Sequence, residues 1–365
     1  MSSSIYNKLL RFSLTHLRSV FPPSSSEQDE THYQHGIPGI PTDGRVVLLK
    51  NSNNGAQIYL VGTVHISEQS AETVQKVIDY VRPDVVAVEL CKGRAEGIVD
   101  WKPEDASLYK LFRESMRAPG GLCMKIGIFF LSYWYRRLHA DGTFPGLEFK
   151  VAIEESSRVG ATCFCIDQDS DVTLQQVSKV FSFNSLRKVY TRILDELKKP
   201  HQMIQHHTDF IDGEYTRSLV KEMGSYQKKL WPEFSEVMLE DRDKFMFTNL
   251  RSFQGKVVAV VGMGHMDGIE LLWKGAEEDD RKQLPLDLKL RLGKTTYGAY
   301  RIRERFVEKM NGPSAYHSIF RVWRIKSLLN QRFTVYHLCI LTFRVGWRQI
   351  VWEILQPMFI QVGTL

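Results

Sequence analysis

Histidine and glutamate residues that could bind a metal ion follow three apolar runs of the sequence. His65 comes three residues after QIYLVG, Glu89 directly follows VVAV, and His265 comes four residues after KVVAVV. Two neutral imidazoles with a carboxylate form a donor set that suits Zn²⁺, Mn²⁺ or Fe²⁺. Because a bound metal with an open position can activate water, these residues indicate hydrolysis. We therefore treat all three as candidate metal ligands and catalytic residues.

Further candidates have two interpretations each. The apolar run ATCFCI is followed by Asp167 and Asp169, which either support the same site or cap a helix that begins near Val172. Arg94 either neutralises Glu89 or binds a substrate carboxylate. A carboxylate after VVAV is costly to bury unless it is paired or binds a ligand, which favours a functional role for Glu89. Either histidine, taken alone, could be an ordinary hydrogen-bonding group.

The elements that would position these side chains alternate between apolar strands and helical patterns. This order is typical of an α/β fold with a mainly parallel central sheet flanked by helices. The predicted strands are 57–62, 84–90, 161–166 and 256–261, and the predicted helices are 68–81, a large insertion at 104–139, 148–159, and two or three more within 172–250. The carboxyl ends of parallel strands meet at one edge of a sheet, where ligands bind. We expect His65, Glu89 and His265 to meet there.

The segment GMGHMDG, residues 262–268, matches a dinucleotide-binding loop only in part. Its third glycine falls one place late for GxGxxG, and no clear strand ending in an acid follows about 20 residues later. We therefore expect no nucleotide cofactor here. The glycines instead let the backbone turn sharply or approach a ligand closely beside His265.

Together these motifs resemble the TraB family, also called TraB/PrgY/GumN and related to the Tiki proteins. Gly62-Thr-Val-His65 and Gly262-Met-Gly-His265 are similar to the two GxxH motifs of that family, and Glu89 in VAVELCKGR is similar to its glutamate. Secondary similarities are Pro145-Gly-Leu-Glu148-Phe, Asp167-Gln-Asp169, and Asp241-Arg-Asp243 followed by Met246. The resemblance covers about residues 57–275.

The resemblance implies a metal-dependent, peptidase-like hydrolase acting on a peptide or small molecule. In it, His65 and His265 bind a divalent metal ion and Glu89 is a ligand or a general base. Glu148 and Asp243 become supporting residues near the pocket. Other members shut down peptide pheromones or work at mitochondrial and endoplasmic-reticulum membranes. The alternative is therefore a non-catalytic regulatory or tethering protein at an organelle membrane.

Charge is distributed unevenly along the 365 residues. The net charge is +6, but residues 281–365 carry fifteen Lys and Arg against four Asp and Glu. We predict a flexible N-terminus at 1–43, an α/β domain at 44–280 and a basic helical or amphipathic extension at 281–365. The extension suits an anionic membrane surface, or it is a solvated basic face. Because no recognisable nucleic-acid-binding motif accompanies it, we expect no nucleic-acid partner.

Residue usage also bears on the compartment. The first 26 residues have no acid, many serines and three basic residues, which is typical of an organelle transit peptide or of a generic flexible end. Five scattered cysteines without a secretory segment favour a reducing, intracellular location, either in the mitochondrion, at an organelle membrane or in the cytoplasm. Cys163 and Cys165 share one face of a predicted strand and are expected to be buried. No uncharged apolar run reaches the roughly 18–20 residues of a spanning helix.

Overall fold

A computed structural model of the chain describes residues 33–65, 67–100, 107–140, 144–197, 216–281 and 299–302. Six strands of these residues form one sheet in the order β1-β2-β5-β3-β4-β6. The strands are β1 (Val46–Lys50), β2 (Gln57–Thr63), β3 (Val85–Val88), β4 (Thr162–Cys165), β5 (Lys256–Gly262) and β6 (Tyr300–Arg301). The fold is α/β, as predicted.

The sheet is mixed, so the prediction of a mainly parallel sheet is only partly correct. The central strands β2, β5, β3 and β4 are mutually parallel, whereas β1 and β6 pair antiparallel at the two edges. β1 joins β2 through a short turn that ends at Gly55, which has a φ of 73°. So short a connection can only give an antiparallel pair, because parallel strands need a long crossover. The run VVLLK followed by NSNNG is a local hairpin signal that the four-strand prediction overlooked.

The helices lie close to their predicted positions. They are α1 (Glu68–Val81), α2 (Lys92–Asp100), α3 (Leu108–Arg117), α4 (Leu122–Ala140), α5 (Leu147–Arg158), α6 (Ser170–Val180), α7 (Phe183–Leu197), α8 (Arg217–Leu230), α9 (Pro232–Ser235), α10 (Asp241–Ser252) and α11 (Met263–Arg281). A π-helical turn, Glu236–Glu240, joins α9 to α10. The predicted insertion 104–139 therefore contains α3 and α4, two helices joined by a glycine-containing turn.

Hydrophobic clusters cover both faces of the sheet. One contains residues of α1 and α5, including Ile78 and Phe149, and the other contains residues of α10 and α11, including Leu250 and Ile269. β5 is buried from Val257 onward, because it is an interior strand with a parallel neighbour on each side and a helical layer on each face. A third cluster joins α4, α6 and α7 to the segment from α8 to the π-helical turn.

Cys163 and Cys165 lie on the same face of β4 and are buried in the first cluster, as predicted. Burial raises the pKa of the Cys163 thiol to about 12 and raises that of Cys165 further. Both therefore behave as small apolar core residues.

The predicted regions at the two ends of the chain fall largely outside the described residues. These are the N-terminal segment 1–32 and, within the basic extension, residues 282–298 and 303–365. Residues 299–302 are described and add the edge strand β6 to the sheet. Among the described helices, none has the length and apolar character needed to cross a bilayer.

Candidate functional site

Four neighbouring parallel strands each deliver one polar side chain to the same edge of the sheet. His65 follows β2, Glu89 follows β3 and Asp167 follows β4, while His265 lies in the first turn of α11 after β5. All four are buried. The Nε2 atom of His265 lies 3.3 Å from Oε1 of Glu89. The structure thus brings together the two histidines and the glutamate that sequence analysis placed at this edge.

Each histidine ring is held by a carboxylate from a flanking helix. Nδ1 of His65 lies 2.5 Å from Oε1 of Glu148 on α5, and Nδ1 of His265 lies 2.6 Å from Oδ1 of Asp243 on α10. The backbone carbonyl of His65 also accepts a hydrogen bond from Gly146, which fixes the start of α5 beside the ring. A carboxylate on Nδ1 sets the tautomer and orientation of an imidazole and leaves Nε2 to face the site.

Gly262 lets the Nε2 atoms approach Glu89. A Cβ atom on this residue would lie 2.9 Å from Nε2 of His65 and 3.3 Å from Oε2 of Glu89. The Gly262 N–H donates to Oε2 of Glu89 at 2.5 Å. Nε2 of His265 is buried and lies 3.3 Å from Oε1 of Glu89, a contact without hydrogen-bond geometry. Both imidazoles therefore present Nε2 towards the region around the Glu89 carboxylate.

Gly268 has a similar role within α11. A Cβ atom there would lie 2.0 Å from Oδ2 of Asp243. The absence of a side chain thus leaves room for the carboxylate that orients His265. Gly262 and Gly268 of GMGHMDG thus allow close packing of side chains around the site, while the predicted close approach of the backbone to a ligand stays a prediction.

Arg242 is a central residue that sequence analysis did not single out. Its guanidinium donates to Glu89 and to both oxygens of Asp167, at 3.1 Å from Nε to Oδ1 and 2.8 Å from Nη2 to Oδ2. Nη1 donates to the carbonyl of Met238 in the π-helical turn. In the sequence it looks like one more charge in a polar run. Its neighbour Asp243, which the family resemblance identified, was the only available signal.

For Arg94 and Asp169, the contacts in the structure differ from one of the two roles predicted for each residue. Arg94 donates to the backbone carbonyl of Glu89 at 2.8 Å and to the carboxylate of Asp167, so Arg242 is the guanidinium that pairs with the Glu89 carboxylate. Asp169 is exposed and caps α6, where its Oδ1 accepts the N–H of Asp171 at 2.9 Å. Asp169 is therefore outside the buried cluster, whereas Asp167 is inside it.

Comparison with known proteins identifies the family of this chain. The model of the TraB/PrgY/gumN family matches residues 47–110 and 173–282, which include His65, Glu89, Asp243 and His265. The chain belongs to this family. It is 30% identical over 233 residues to an uncharacterized protein of Methanocaldococcus jannaschii, covering 62% of this chain and 55% of that one. It is 27% identical over 264 residues to the TraB domain-containing proteins of Homo sapiens and Mus musculus, covering 65% of this chain and 67% of each relative.

The charged residues of this site shift one another's pKa values. Burial alone would raise the pKa of Glu89, but the positive charges of His265 and Arg242 hold it well below its ordinary value. Burial likewise opposes the effect of Arg242 and Arg94 on Asp167, whose pKa is nevertheless lowered. Burial alone would lower the pKa of His265, but the Glu89 and Asp243 carboxylates outweigh this effect and raise the pKa to about 9. Burial raises the pKa of Asp243 itself.

The site contains more buried carboxylates than guanidiniums. Four buried carboxylates, those of Glu89, Glu148, Asp167 and Asp243, face two guanidiniums, those of Arg94 and Arg242. With both imidazoles in the neutral form that metal binding requires, the cluster therefore carries a net charge of −2, and protonation of His265, whose pKa is about 9, makes it −1 when no metal is bound. Buried charge of this size needs compensation. Two added protons or one divalent cation would supply it.

The donor types fit a divalent metal ion, although the described residues contain no group of three His, Cys, Asp or Glu side chains already arranged around a metal position. The reason is visible in the contacts of Glu89, since Arg242 binds one of its oxygens and the Gly262 N–H binds the other. The features that fit a metal are Nε2 of His265, which is buried beside the Glu89 carboxylate, and the carboxylate on Nδ1 of each ring.

Proposed function

We propose that this TraB-family chain is a metal-dependent, peptidase-like hydrolase whose site is the cluster of His65, Glu89 and His265. The observation that supports it is the pairing of two imidazoles with carboxylates at Nδ1, so that both Nε2 atoms face one buried carboxylate. The net charge of −2 matches one divalent cation, and the N and O donors suit Mn²⁺, Zn²⁺ or Fe²⁺.

In this proposal His65, His265 and Glu89 hold the metal, while Glu148 and Asp243 orient the two rings. When bound, the cation supplies Lewis acidity that polarises a carbonyl and makes water a better nucleophile at neutral pH. Arg242 and Arg94 keep Asp167 ionised and fix the backbone of Glu89, so the donors stay in place without metal. A substrate carboxylate would have to compete with Asp167 for Arg94.

The environment of Glu89 favours the role of ligand over that of general base. A carboxylate with a pKa held well below its usual range is a weak proton acceptor, whereas an ionised carboxylate is what a metal needs. Two substitutions separate the roles. Glu89→Gln removes the charge and is expected to abolish metal binding, while Glu89→Asp keeps the charge and should retain weakened binding. Metal bound tightly by Glu89→Gln, with turnover lost, would make Glu89 a base instead.

The proposal is tested first by the metal content of the purified full-length chain. Elemental analysis should find about one Mn, Zn or Fe per chain, lost in His65→Ala and in His265→Ala. His35→Ala is the matched control, because His35 is also a buried imidazole that makes hydrogen bonds, but it lies outside the site. Circular dichroism should show all three variants folded.

The result that would overturn the proposal is equally specific. A chain that purifies without metal and takes up none of the three ions in a titration does not have this site. The same conclusion follows if both site variants keep the metal. If the metal is present, hydrolysis of quenched fluorescent peptides by the native chain, and not by His265→Ala, is the expected second result.

A further inference from the structure

The helical hairpin formed by Leu108–Arg117 (α3) and Leu122–Ala140 (α4) leaves an apolar surface uncovered. Seven of the twelve large apolar side chains that are exposed among the described residues lie on these two helices. They are Leu108, Tyr109, Phe112, Leu122, Ile126, Phe130 and Tyr133. Such a concentration on one hairpin differs from the scattered exposed apolar residues of an ordinary surface.

Spacing along α4 shows that this helix has two apolar faces. Met124, Ile128 and Leu131 pack into the third hydrophobic cluster and attach the helix to the body of the protein. Leu122, Ile126, Phe130 and Tyr133 follow one another at intervals of four, four and three residues, so they form a stripe on another face. A helix that is apolar on both sides normally has a partner on each.

The stripe continues from α4 onto α3. The rings of Phe112 and Phe129 lie edge to face with centroids 6.0 Å apart, and Phe129 lies 5.8 Å from Phe130. Phe112 and Phe130 are each about half exposed, at 50% and 55%. The two helices therefore present one continuous aromatic surface.

Positive charge surrounds this surface. Residues 108–140 contain six Lys and Arg and a single acid, Glu114. Five of the cations are exposed, namely Lys110, Arg113, Arg117, Arg136 and Arg137. Aromatic and aliphatic side chains beside exposed cations are the composition of helices that lie in the headgroup region of anionic bilayers.

We propose that the hairpin of α3 and α4 docks on the surface of an anionic membrane. The exposed stripe enters the boundary between headgroups and acyl chains, and the cations bind lipid phosphates and carboxylates. Neither helix needs to cross the bilayer for this, in agreement with the lack of a spanning helix in the described part of the chain. The proposal does not depend on metal-dependent hydrolysis.

Docking would also place the candidate site near the lipid. Met124, Ile128 and Leu131 of α4 share the third hydrophobic cluster with Met238, whose carbonyl accepts a hydrogen bond from Arg242. Packing therefore connects α4 to a residue of the candidate site. A substrate presented at a membrane surface would then be close to the metal ligands.

The test must separate this hairpin from the basic extension at residues 281–365, which can also bind anionic lipid. An environment-sensitive fluorophore on Phe130→Cys reports on the stripe itself. It is attached in the full-length chain carrying Cys339→Ser, because the four described cysteines are buried. Leu271→Cys is the matched control, since Leu271 is 73% exposed on α11, away from the hairpin.

Vesicles of phosphatidylcholine with phosphatidylserine should shift the emission at position 130 to the blue and allow quenching by a nitroxide lipid. Pure phosphatidylcholine vesicles should have a much smaller effect, and added salt should reverse the shift. Position 271 should respond to neither. In the unlabelled chain, Phe112→Ser with Phe130→Ser should lower the vesicle partition coefficient about tenfold or more.

Three outcomes would overturn the proposal. If the chain sediments with vesicles while position 130 stays unquenched, the extension binds lipid and the hairpin does not. If position 130 already emits as a buried fluorophore without vesicles, another part of this chain covers the stripe. If the emission shifts with protein concentration alone and light scattering shows a dimer, the stripe is an interface between copies.

Discussion

At the scale of single residues, the candidate site depends on its ionisable side chains and also on Gly262, whose lack of a Cβ atom lets those side chains lie close together. Gly262 places its N–H 2.5 Å from Oε2 of Glu89, and a methyl group at this position would lie 2.9 Å from Nε2 of His65. Neither neighbour can move easily, because Glu148 fixes the His65 ring and Arg242 fixes the Glu89 carboxylate. The GxxH motif therefore requires its glycine for a steric reason.

We predict that Gly262→Ala lowers the free energy of unfolding by about 1–3 kcal/mol, since it overpacks a rigid buried cluster. Urea denaturation followed by circular dichroism measures this change. The same variant should bind metal more weakly than the native chain, because His65 and Glu89 must separate.

Gly275→Ala provides the control for this prediction. Gly275 lies within α11, where a Cβ atom would meet nothing within 4 Å. Alanine at a helical position without contacts should be neutral or stabilise by about 0.5–1 kcal/mol. Equal stability losses in the two variants would mean that the loss at position 262 does not come from its close contacts, and the steric argument for Gly262 would fail.

Arg242 gives a second prediction at this scale, and it concerns pH. Arg242→Met leaves Asp167 and Glu89 buried without their main cation, so the protein should lose about 3–5 kcal/mol of stability near neutral pH. In the native chain the lowered pKa of Asp167 contributes stability that is present above the unfolded value of about 4 and is lost as the pH falls through the folded value. The difference between variant and native chain should therefore shrink on acidification.

Unfolding curves at several pH values, recorded with a chelator so that bound metal does not compensate, measure that difference. Lys228→Met is the control, because its ion pair with Glu240 is exposed to solvent. It should stay near native stability throughout the range. A stability loss in Arg242→Met that does not change between neutral and acidic pH would show that packing, rather than charge, is what the arginine supplies.

Among the elements, the short strand β6 extends the sheet beyond residue 280, the predicted boundary between the α/β domain and the basic extension. Tyr300 and Arg301 pair with Cys165 and Phe164 of β4, and the N–H of Ile302 donates to the carbonyl of Cys163 at 2.9 Å. Ile302 is buried in the first hydrophobic cluster. Two residues of strand with no turn signal nearby are too few for periodicity to detect.

We predict that a chain ending at residue 298 is less stable than one ending at residue 302. Only the longer chain buries Ile302 and pairs the free edge of β4, and the apolar burial alone accounts for about 1.5–3 kcal/mol. Comparing the urea midpoints of the two truncated chains measures this, and both lack the same C-terminal residues. Identical midpoints would mean that β6 adds nothing to the sheet.

The longer elements were more predictable than these short ones. Continuous apolar runs such as KVVAVV predicted the parallel strands, and apolar spacing predicted α1 and α5 to within a residue or so. The two antiparallel edges were missed. The π-helical turn Glu236–Glu240 was also not predicted, because its residues have ordinary helical composition and only their hydrogen bonding differs.

On the scale of the whole molecule, the two proposals concern different parts of the chain that meet at α4. Substitutions at His65 and His265 should remove metal without changing vesicle binding, while Phe112→Ser with Phe130→Ser should do the reverse. The proposals can therefore fail separately. Should both succeed, the molecule is a TraB-family hydrolase that acts beside a membrane.

The sequence by itself determined where His65, Glu89 and His265 would meet. A strand–helix–strand order forces parallel strands, and residues that follow such strands share one edge of the sheet. It could not determine the partners of these residues. Glu148 and Asp243 were known only through the family resemblance, and Arg242 was quoted within one motif but given no role, because side chains from distant helices meet only after packing.

Exposure was likewise decided by tertiary structure alone. The periodicity of α4 shows apolar residues on two faces, but only the packed fold shows which face is covered and which is left to solvent. The same holds for charge, since the count of acids and bases in the sequence says nothing about burial. The excess of carboxylates over guanidiniums in the candidate site arises from the packing of six charged side chains against one another, away from water.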